Sequence, residues 1–493
     1  MTSEQTLTIT CPAGAEAVRG LCGGAVHLPG DPGYDAARSP WAIVVDQRPA
    51  AVAYPTTAAE VVEVVRAAAA AGLRVAPQGT GHNAGPLRDL ERAVLVRTGA
   101  MRGVTVDVDT RTARVESGAL WEDVVNAVAP HGLAALHGSS PDVGVAGYSL
   151  GGGMGWYARE LGLAANSITA IELVTADGRL VRATAHQEPD LFWALRGGGG
   201  NFGVVTALDL RLFPIDTVYA GMLVWDRSEA DRVLRTWARW AADAPDAVTT
   251  SFRVLQLPPF EQIPAPVRGR QLVMIDGAVL ADDETAAEIL AELRALEPEM
   301  DTFARVPSAS IIWLHMDPEG PTPGVSATTV LGSLPDEGID AFLGQVGHGT
   351  NQSLLSAELR QLGGAVARPA EEAGAVAMVE GAFLLFGVAV AATPEMAAAG
   401  EADAAALVSA MTPWANGKQY LNFVEAAQDA SNGYTAESWT RPQAVRAKVD
   451  AHGLFLSNHQ VPTGSPAPLR CPTSAERPDS RRLRRPDERS FAT

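Results

Sequence analysis

Apolar runs bounded by turn residues divide the first 213 residues into short strands and helices. Thr57, with Glu60 three positions later, has the form of a helix N-terminal capping box, and the Ala- and Val-rich run behind it predicts a helix up to Ala71. Gly72 stands where a helix C-terminal glycine belongs. Strands are predicted over Ala51–Tyr54, Leu73–Ala76, Ala93–Arg97, Val104–Val108, Thr112–Glu116, Ile168–Val174, Leu180–Ala183 and Gly203–Leu212, with further helices over Leu120–Val128 and Pro189–Leu195.

The pattern changes after Pro214, where the predicted strands become longer and apolar on both faces. Long strands of this kind favour an antiparallel sheet with helices packed on one face. The expected architecture is therefore an α+β domain, a second α+β domain after about residue 214, and a return segment near residues 420–461. Strands are predicted over Leu272–Val279, Ser353–Gln361, Ala373–Glu380 and Phe383–Ala391, and helices over Glu284–Leu296, Glu337–Val346 and Ala397–Met411.

Both ends of the chain differ from this patterned region. Residues 1–37 are rich in Gly and Pro, and we expect them to wrap the surface. The segment 462–493 holds seven Arg against four acidic residues and few apolar ones, so we expect it to be a disordered tail. The three cysteines have no zinc-like spacing and are expected to be reduced thiols.

The net charge of the chain argues against nucleic acids and anionic membranes as binding partners. The formal charge is −19, from 38 basic and 57 acidic residues, and an acidic surface repels nucleic acids and anionic membranes. The chain contains no apolar run long enough for a transmembrane helix. Its start lacks the basic and apolar regions of a secretory signal, so we expect a cytoplasmic protein.

Three glycine-rich loops are the strongest chemical signal in the chain. They run from Gln78 to Gly85, from Gly144 to Gly155 and from Arg196 to Gly203. Glycine is costly in a folded backbone, but it lets N–H groups approach phosphate oxygens without a Cβ in the way. Three such loops in one region predict a single long ligand that contains a pyrophosphate, in preference to three tight turns.

The spacing of the glycines and the residues around them distinguish between kinds of nucleotide-binding loop. The P-loop pattern that ends in Gly-Lys-Ser/Thr is absent. Gly79, Gly81 and Gly85 after a strand partly match the nicotinamide dinucleotide fingerprint, which requires a helix that opens at the loop. Pro86 makes a helix unfavourable there, so the nicotinamide reading ranks below FAD.

At this level the sequence resembles a family. The segments Pro77–Gly85, Val143–Gly162 and Glu188–Gly203 are similar to the flavin loops of the vanillyl-alcohol oxidase and p-cresol methylhydroxylase superfamily, in its berberine-bridge-enzyme-like branch. Residues 420–423 and 454–458 resemble its closing motifs. The resemblance implies an α+β fold with an N-terminal extension (1–39), a two-part FAD-binding domain (40–213 and 415–461) and a substrate-binding domain (214–414) whose antiparallel sheet is covered by helices.

The resemblance also implies roles for individual residues. His82 matches the histidine that attaches FAD covalently, through attack of a neutral imidazole on the flavin C8 methyl group. Ser140 replaces a cysteine that tethers the flavin a second time in many members, so we expect a single tether. The cofactor-binding residues so implied are His82, Gln78, Gly79, Thr80, Gly81, Asn83, Gly85, Ser140, Val143, Gly144, Gly147, Tyr148, Gly151, Gly152, Gly153, Gly155, Asn201, Gly203, Tyr420 and Asn422.

The expected reaction removes hydride from carbon to flavin while a base takes a proton. By resemblance Tyr420 lies over the flavin, with Lys418 as a source of positive charge and Glu380, on a facing strand, as a possible second proton acceptor. Phe423 replaces a second tyrosine found in many members. The sequence thus predicts an FAD-dependent oxidase that uses a small alcohol or amine and dioxygen; a flavin dehydrogenase, an NAD(P)-binding oxidoreductase and a degenerate flavin-binding protein are the alternatives.

Overall fold

A small sheet comes first along the chain in the computed structural model, which describes residues 14–261 and 263–463. Three of its strands are parallel, in the spatial order β1-β2-β4-β3, with β1 antiparallel at the edge. Thr57 caps the helix between β2 and β3 by accepting a hydrogen bond from the Glu60 N–H, as predicted. The strands are β1 (Val26–His27), β2 (Ala51–Ala53), β3 (Arg74–Gln78) and β4 (Ala93–Arg97), and the helices are α1 (Tyr34–Arg38) and α2 (Ala58–Ala70).

A five-stranded antiparallel sheet follows, in the order β5-β6-β9-β7-β8. Both predicted hairpins, β5–β6 and β7–β8, are confirmed. The helices of this region pack on the sheet and carry the second and third glycine loops. The strands are β5 (Val104–Asp107), β6 (Thr112–Glu116), β7 (Ile168–Val174), β8 (Leu180–Ala183) and β9 (Val204–Arg211), and the helices are α3 (Trp121–Val128), α4 (Val145–Leu150), α5 (Ala158–Leu161) and α6 (Pro189–Gly198).

The third sheet is the predicted antiparallel one. Its order is β13-β10-β12-β11-β16-β17-β15, and β14 pairs with β10. The strands are β10 (Thr217–Asp226), β11 (Val248–Gln256), β12 (Gln271–Val279), β13 (Met300–Asp301), β14 (Ala304–Pro307), β15 (Gly324–Leu331), β16 (Leu354–Gln361) and β17 (Phe383–Val390). The helices are α7 (Ala230–Asp243), α8 (Asp283–Ile289), α9 (Ala291–Arg294), α10 (Asp336–Val346), α11 (Pro394–Met411) and, in the return segment, α12 (Ala436–Val449).

Alternation along the strands gives the third sheet two different faces. Phe252, Ile275 and Leu359 belong to the apolar core that the sheet shares with α7, α10 and α11. The neighbouring positions Arg253 and Asp276 are buried on the opposite face, away from that core. The α+β class with helices against an antiparallel sheet is therefore confirmed.

The return segment closes the chain onto the first sheet. Phe455 forms a parallel bridge with Val75 of β3, which donates its N–H to the Leu454 carbonyl and accepts from the Leu456 N–H. Residues from both ends of the chain are thereby joined in one core, where Phe455 packs with Val64 of α2.

Three expectations need correction. Residues 373–380 form no strand, because the Ala375 and Val376 N–H groups bond to carbonyls of α6 and the Val379 N–H bonds to Val366. The helix expected over 284–296 divides at Leu290 into α8 and α9. The N-terminal segment does more than wrap the surface, since Ala15, Val18 and Leu28 are fully buried in the core. The predicted tail from residue 464 onward, Cys11 and Cys471 lie outside the described residues; Cys22 is a buried free thiol.

Candidate active site

The first glycine loop follows β3 and is held by the segment before β2. The Trp41 N–H donates to the Thr80 carbonyl oxygen over 2.9 Å. Gly81 has φ +84°, and a Cβ there would lie 2.7 Å from the Cβ of Pro40, so only glycine fits. A Cβ on Gly79 would meet nothing within 4 Å, which leaves that part of the loop open to a ligand.

The second glycine loop begins at Gly144, the N-cap of α4, and lies beside the first. A Cβ on Gly144 would be 3.5 Å from the methyl carbon of Thr80, whereas one on Gly147 would meet nothing within 4 Å. Gly152 has φ +133°, and its Cβ position is 3.2 Å from the Tyr420 ring. The loop therefore has one open stretch and one stretch in close contact with the return segment.

The third glycine loop is locked to the return segment by Asn201, which is 1% exposed. Its amide donates to the carbonyl oxygens of Gly198 and His459, and its Oδ1 accepts from Arg446 and from the Val461 N–H. All of its hydrogen-bonding capacity is used within the protein. The side chain thus fixes the loop, and only the backbone around it is left for a ligand.

Two more asparagines join the first two loops to the closing motif. Asn83 donates to the Leu421 carbonyl oxygen over 3.1 Å, while its Oδ1 is buried with no hydrogen-bond partner. Asn422 donates to the Tyr148 carbonyl oxygen over 3.0 Å and lies 3.2 Å from the Tyr420 hydroxyl. The structure thereby brings the predicted residues of all three loops and of the closing motif together. Gln78 is also buried, between Gln47 and Arg97.

His82 lies where the first two loops meet. Its ring stacks on the indole of Trp41, with centroids 4.0 Å apart and planes at 16°. The Thr80 hydroxyl oxygen is 2.7 Å from Nδ1. Nε2 is 3.5 Å from Oδ1 of Asp142, and it is buried without a hydrogen-bond partner. The imidazole is thus held by stacking and by one hydroxyl group, with a nitrogen still unsatisfied.

Asp142, which the sequence analysis did not single out, accepts most of the hydrogen bonds around His82. Its carboxylate accepts hydrogen bonds from the Ser140 hydroxyl, the Trp41 indole N–H and the Gly320 N–H. Burial alone would raise the pKa of Asp142, but His82, Trp41 and Gly320 together hold it well below its usual range. Asp142 is therefore ionised at neutral pH, and Ser140 serves it as a donor.

Tyr420 is 2% exposed and lies under the second loop. Burial raises the pKa of its phenol well above the usual value, while Arg360, Asn422 and the backbone N–H groups of Gly153 and Met154 act in the opposite direction. Donors around the phenol oxygen are the groups that would stabilise a phenolate. The phenol is protonated in the resting protein, and these donors lower the cost of moving its proton.

Two expectations about the surroundings of Tyr420 are wrong. Lys418 donates its ammonium group to the Tyr434 carbonyl oxygen over 2.7 Å, and the cation that acts on the phenol is Arg360 instead. Glu380 does not lie on a facing strand: its segment is irregular, and its side chain is exposed. Asn416 fixes the Glu380 backbone by donating to its carbonyl oxygen.

A buried group of charged residues faces this site from β11, β12 and β16, and sequence reasoning missed it. Arg253 pairs with Asp276, and Arg360 pairs with Glu358 at 2.8 Å. His315 Nδ1 is 2.9 Å from Asp276 Oδ2. Burial and Arg253 oppose protonation of His315, but the neighbouring carboxylates raise its pKa to about 9. The guanidinium of Arg360 also lies 5.1 Å from the ring centroid of Phe423, so this charged face reaches the closing motif.

These residues fit FAD better than a nicotinamide dinucleotide. The chain from Gly79 to Asp89 contains only turns and irregular backbone, so no helix opens at the first loop as the nicotinamide fingerprint requires. Gly79 and Gly147 leave open space along the two loops, and Asn83 of the first loop has a buried Oδ1 without a hydrogen-bond partner. Orphaned buried polar atoms of this kind call for a partner, and a flavin nucleotide supplies one.

Comparisons with known proteins decide between these readings. Residues 49–184 match the FAD binding domain family. The chain is 28% identical over 459 residues to (R)-6-hydroxynicotine oxidase from Paenarthrobacter nicotinovorans, covering 90% of this chain and 97% of that one. The chain therefore contains an FAD-binding domain and is similar to an oxidase over nearly its whole length. It is an FAD-linked oxidoreductase.

Further similarities support the fold of this FAD oxidoreductase. It is 37% identical over 195 residues to xylooligosaccharide oxidase from Thermothelomyces thermophilus, covering 38% of this chain and 39% of that one. The structure of a Physcomitrella patens BBE-like 1 variant superimposes with a TM-score of 0.80 at 20% identity, over 91% of this chain and 99% of that one. Within the part of the chain that the structure describes, no helix has the length and apolar character needed to cross a membrane.

Proposed function

We propose that this FAD oxidoreductase is an oxidase that takes hydride from an alcohol or amine carbon of a small substrate, with its flavin attached through His82. FAD supplies the redox chemistry, accepting the hydride and passing the electrons to dioxygen to give hydrogen peroxide. The observation that carries the proposal is the imidazole of His82, which stacks on Trp41 where the first two glycine loops meet, with open space at Gly79 and Gly147. A relative that covers nearly the whole chain is named a 6-hydroxynicotine oxidase, and another is named a xylooligosaccharide oxidase.

The cofactor would be held mainly by backbone. The open positions at Gly79 and Gly147 offer N–H groups that can approach phosphate oxygens. Ser140 forms no second link, because its hydroxyl is a weak nucleophile that already donates to Asp142. The side chains of Asn83 and Asn422 order the loops, and residues 40–213 with 415–461 would form the FAD domain beside a substrate domain of 214–414.

Tyr420 would accept the substrate proton as hydride leaves carbon. Its hydroxyl is surrounded by the Asn422 amide and by the backbone N–H groups of Gly153 and Met154, and Arg360 adds positive charge. Each of these favours the phenolate that a base requires. Glu380 remains the second candidate for sharing the proton, although its exposed position requires a movement toward the site.

A purified-protein experiment tests the proposal. The absorption spectrum should show a bound flavin, and a peroxide-coupled screen of alcohols and amines should find substrates that reduce it under anaerobic conditions. Admission of air should then restore the oxidised spectrum and release one hydrogen peroxide per substrate. A flavin that substrate reduces but air does not reoxidise would make the protein a dehydrogenase, and no reduction by any member of a broad panel would favour a degenerate site.

A further inference from the structure

The carboxylate of Asp142 is fixed by groups from three separate parts of the chain. Oδ2 accepts from the Trp41 indole N–H over 2.6 Å and from the Gly320 N–H over 2.9 Å. Oδ1 accepts from the Ser140 hydroxyl over 3.0 Å and lies 3.5 Å from His82 Nε2. These three donors hold the carboxylate against His82 whether or not the imidazole bonds to it.

The contacts of His82 define which of its nitrogens can act as a nucleophile. An ionised carboxylate can only accept, so Asp142 favours the tautomer that carries its hydrogen on Nε2. Thr80, whose oxygen is 2.7 Å from Nδ1, can then donate to the lone pair on that nitrogen. Stacking on Trp41 fixes the plane of the ring. The imidazole is thus oriented as in a histidine–carboxylate pair, with Nδ1 as the reactive atom.

We infer that Asp142 is the positioning residue for covalent flavin attachment: it fixes the Nε2–H tautomer of His82 and stabilises the positive charge that the ring gains when Nδ1 attacks. The inference rests on the proposed link through His82 and extends it to the residue that drives the link. Asp142 acts through the imidazole and touches neither substrate nor the carbon that is attacked. Its pKa, held below the usual range, keeps the charge in place at neutral pH.

The attachment step balances with dioxygen as the acceptor. A bond forms between His82 Nδ1 and the carbon of the flavin C8 methyl group, while one methyl C–H bond and the Nε2–H bond of His82 break. The two electrons released reduce the flavin. Dioxygen, which the proposed oxidase already uses, takes these electrons with the two protons and leaves as hydrogen peroxide. His82 ends as a neutral, alkylated imidazole.

The test follows covalent attachment rather than turnover. Wild-type protein, Asp142→Asn, Asp142→Ala and Asp317→Asn are produced under riboflavin limitation and incubated with FAD in air. Intact mass gives the covalent fraction against time, and absorbance of acid-released flavin gives the non-covalent fraction. Asp317 is the matched control, since this carboxylate lies in the same loop as Gly320 but accepts from Ser139. Formate is added to Asp142→Ala as a small replacement carboxylate.

We expect Asp142→Asn to bind FAD but to attach it about 100-fold more slowly, in the range of a lost acid–base partner. Formate should accelerate attachment in Asp142→Ala, and Asp317→Asn should match the wild-type rate. Wild-type attachment rates in both Asp142 variants would overturn the role of Asp142 alone. Loss of FAD binding in both variants, or a slow Asp142→Ala that formate does not restore, would make Asp142 a structural residue and also overturn it. Wild-type protein without covalent flavin would instead remove the proposed link itself.

Discussion

Arg446 donates a hydrogen bond over 2.7 Å to Oδ1 of Asn201, a residue 245 positions earlier in the chain. Arg446 is 1% exposed, and its second terminal nitrogen donates to the Phe455 carbonyl oxygen and lies 3.5 Å from Asp450. One guanidinium therefore joins the third glycine loop, α12 and the closing segment. This contact makes the flavin loops depend on the last helix of the described chain.

Removal of this guanidinium should destabilise the protein strongly. In Arg446→Ala the Asp450 carboxylate and the Asn201 amide stay buried without their partner, which typically costs about 3–5 kcal/mol of unfolding free energy. Arg441→Ala, on the same helix, removes an exposed ion pair with Asp190 and should cost less than about 1 kcal/mol. Urea unfolding of the two variants checks this difference. Equal midpoints would show that Arg446 does not hold the segments together.

The sequence predicted the strands and hairpins of the first two sheets because their apolar periodicity and turn residues are local signals. It failed over residues 373–380, where a continuous apolar run has the composition of a buried strand. There the Ala375 and Val376 N–H groups bond to carbonyls of α6, 182 and 180 positions away, which no local pattern reveals. Propensity describes what a segment can form, and tertiary hydrogen bonds decide what it does form.

The same limit applies to the site. Motif resemblance pointed to His82 and to the glycine loops, whose residues the structure brings together. Asp142 lies two positions after Ser140, but its importance depends on Trp41 and Gly320, which lie 101 and 178 positions away. The charged face of the third sheet does leave a local signal, since Arg253, Glu358 and Arg360 alternate with apolar residues along β11 and β16.

Loss of the phenol should slow the chemical step. Tyr420→Phe keeps the buried ring but removes the proton acceptor, so we expect flavin reduction by substrate to slow about 100-fold or more with FAD still bound. Tyr434→Phe is the matched control, because this buried phenol also has a raised pKa but donates to the Gly197 carbonyl oxygen. Stopped-flow absorbance measures both rates. Reduction at the wild-type rate in Tyr420→Phe would transfer the role to Glu380, which Glu380→Gln then tests.

The serine at position 140 should carry no flavin. Ser140→Ala removes one of the three donors to Asp142 and no nucleophile, so the variant should keep its flavin and its spectrum. Proteolytic digestion of wild-type protein followed by mass spectrometry checks this. A flavin-modified peptide that contains Ser140 would contradict the single-tether proposal.

Acid should destabilise the protein partly through His137. Burial lowers the pKa of this histidine to about 4. The hydrogen bond from its Nδ1–H to the Gly138 carbonyl oxygen acts in the opposite direction. A group whose pKa is lower in the folded state binds its proton preferentially in the unfolded state. The contribution of the neutral His137 to the free energy of unfolding is therefore complete above about pH 6.5. It decreases by up to about 3 kcal/mol as the pH falls toward 4. Melting temperatures from pH 8 to pH 4 measure this, and His137→Gln should show a shallower decline. An unchanged slope would assign the acid sensitivity to other groups.

The proposed function depends on the covalent bond between FAD and His82, and acid precipitation followed by mass analysis tests this bond. In wild-type protein the yellow colour should stay in the pellet, the intact mass should include one FAD, and the modified peptide should contain His82. His82→Ala should release all of its flavin into the supernatant. Complete release of flavin from the wild-type protein, or a modified peptide without His82, would contradict the account.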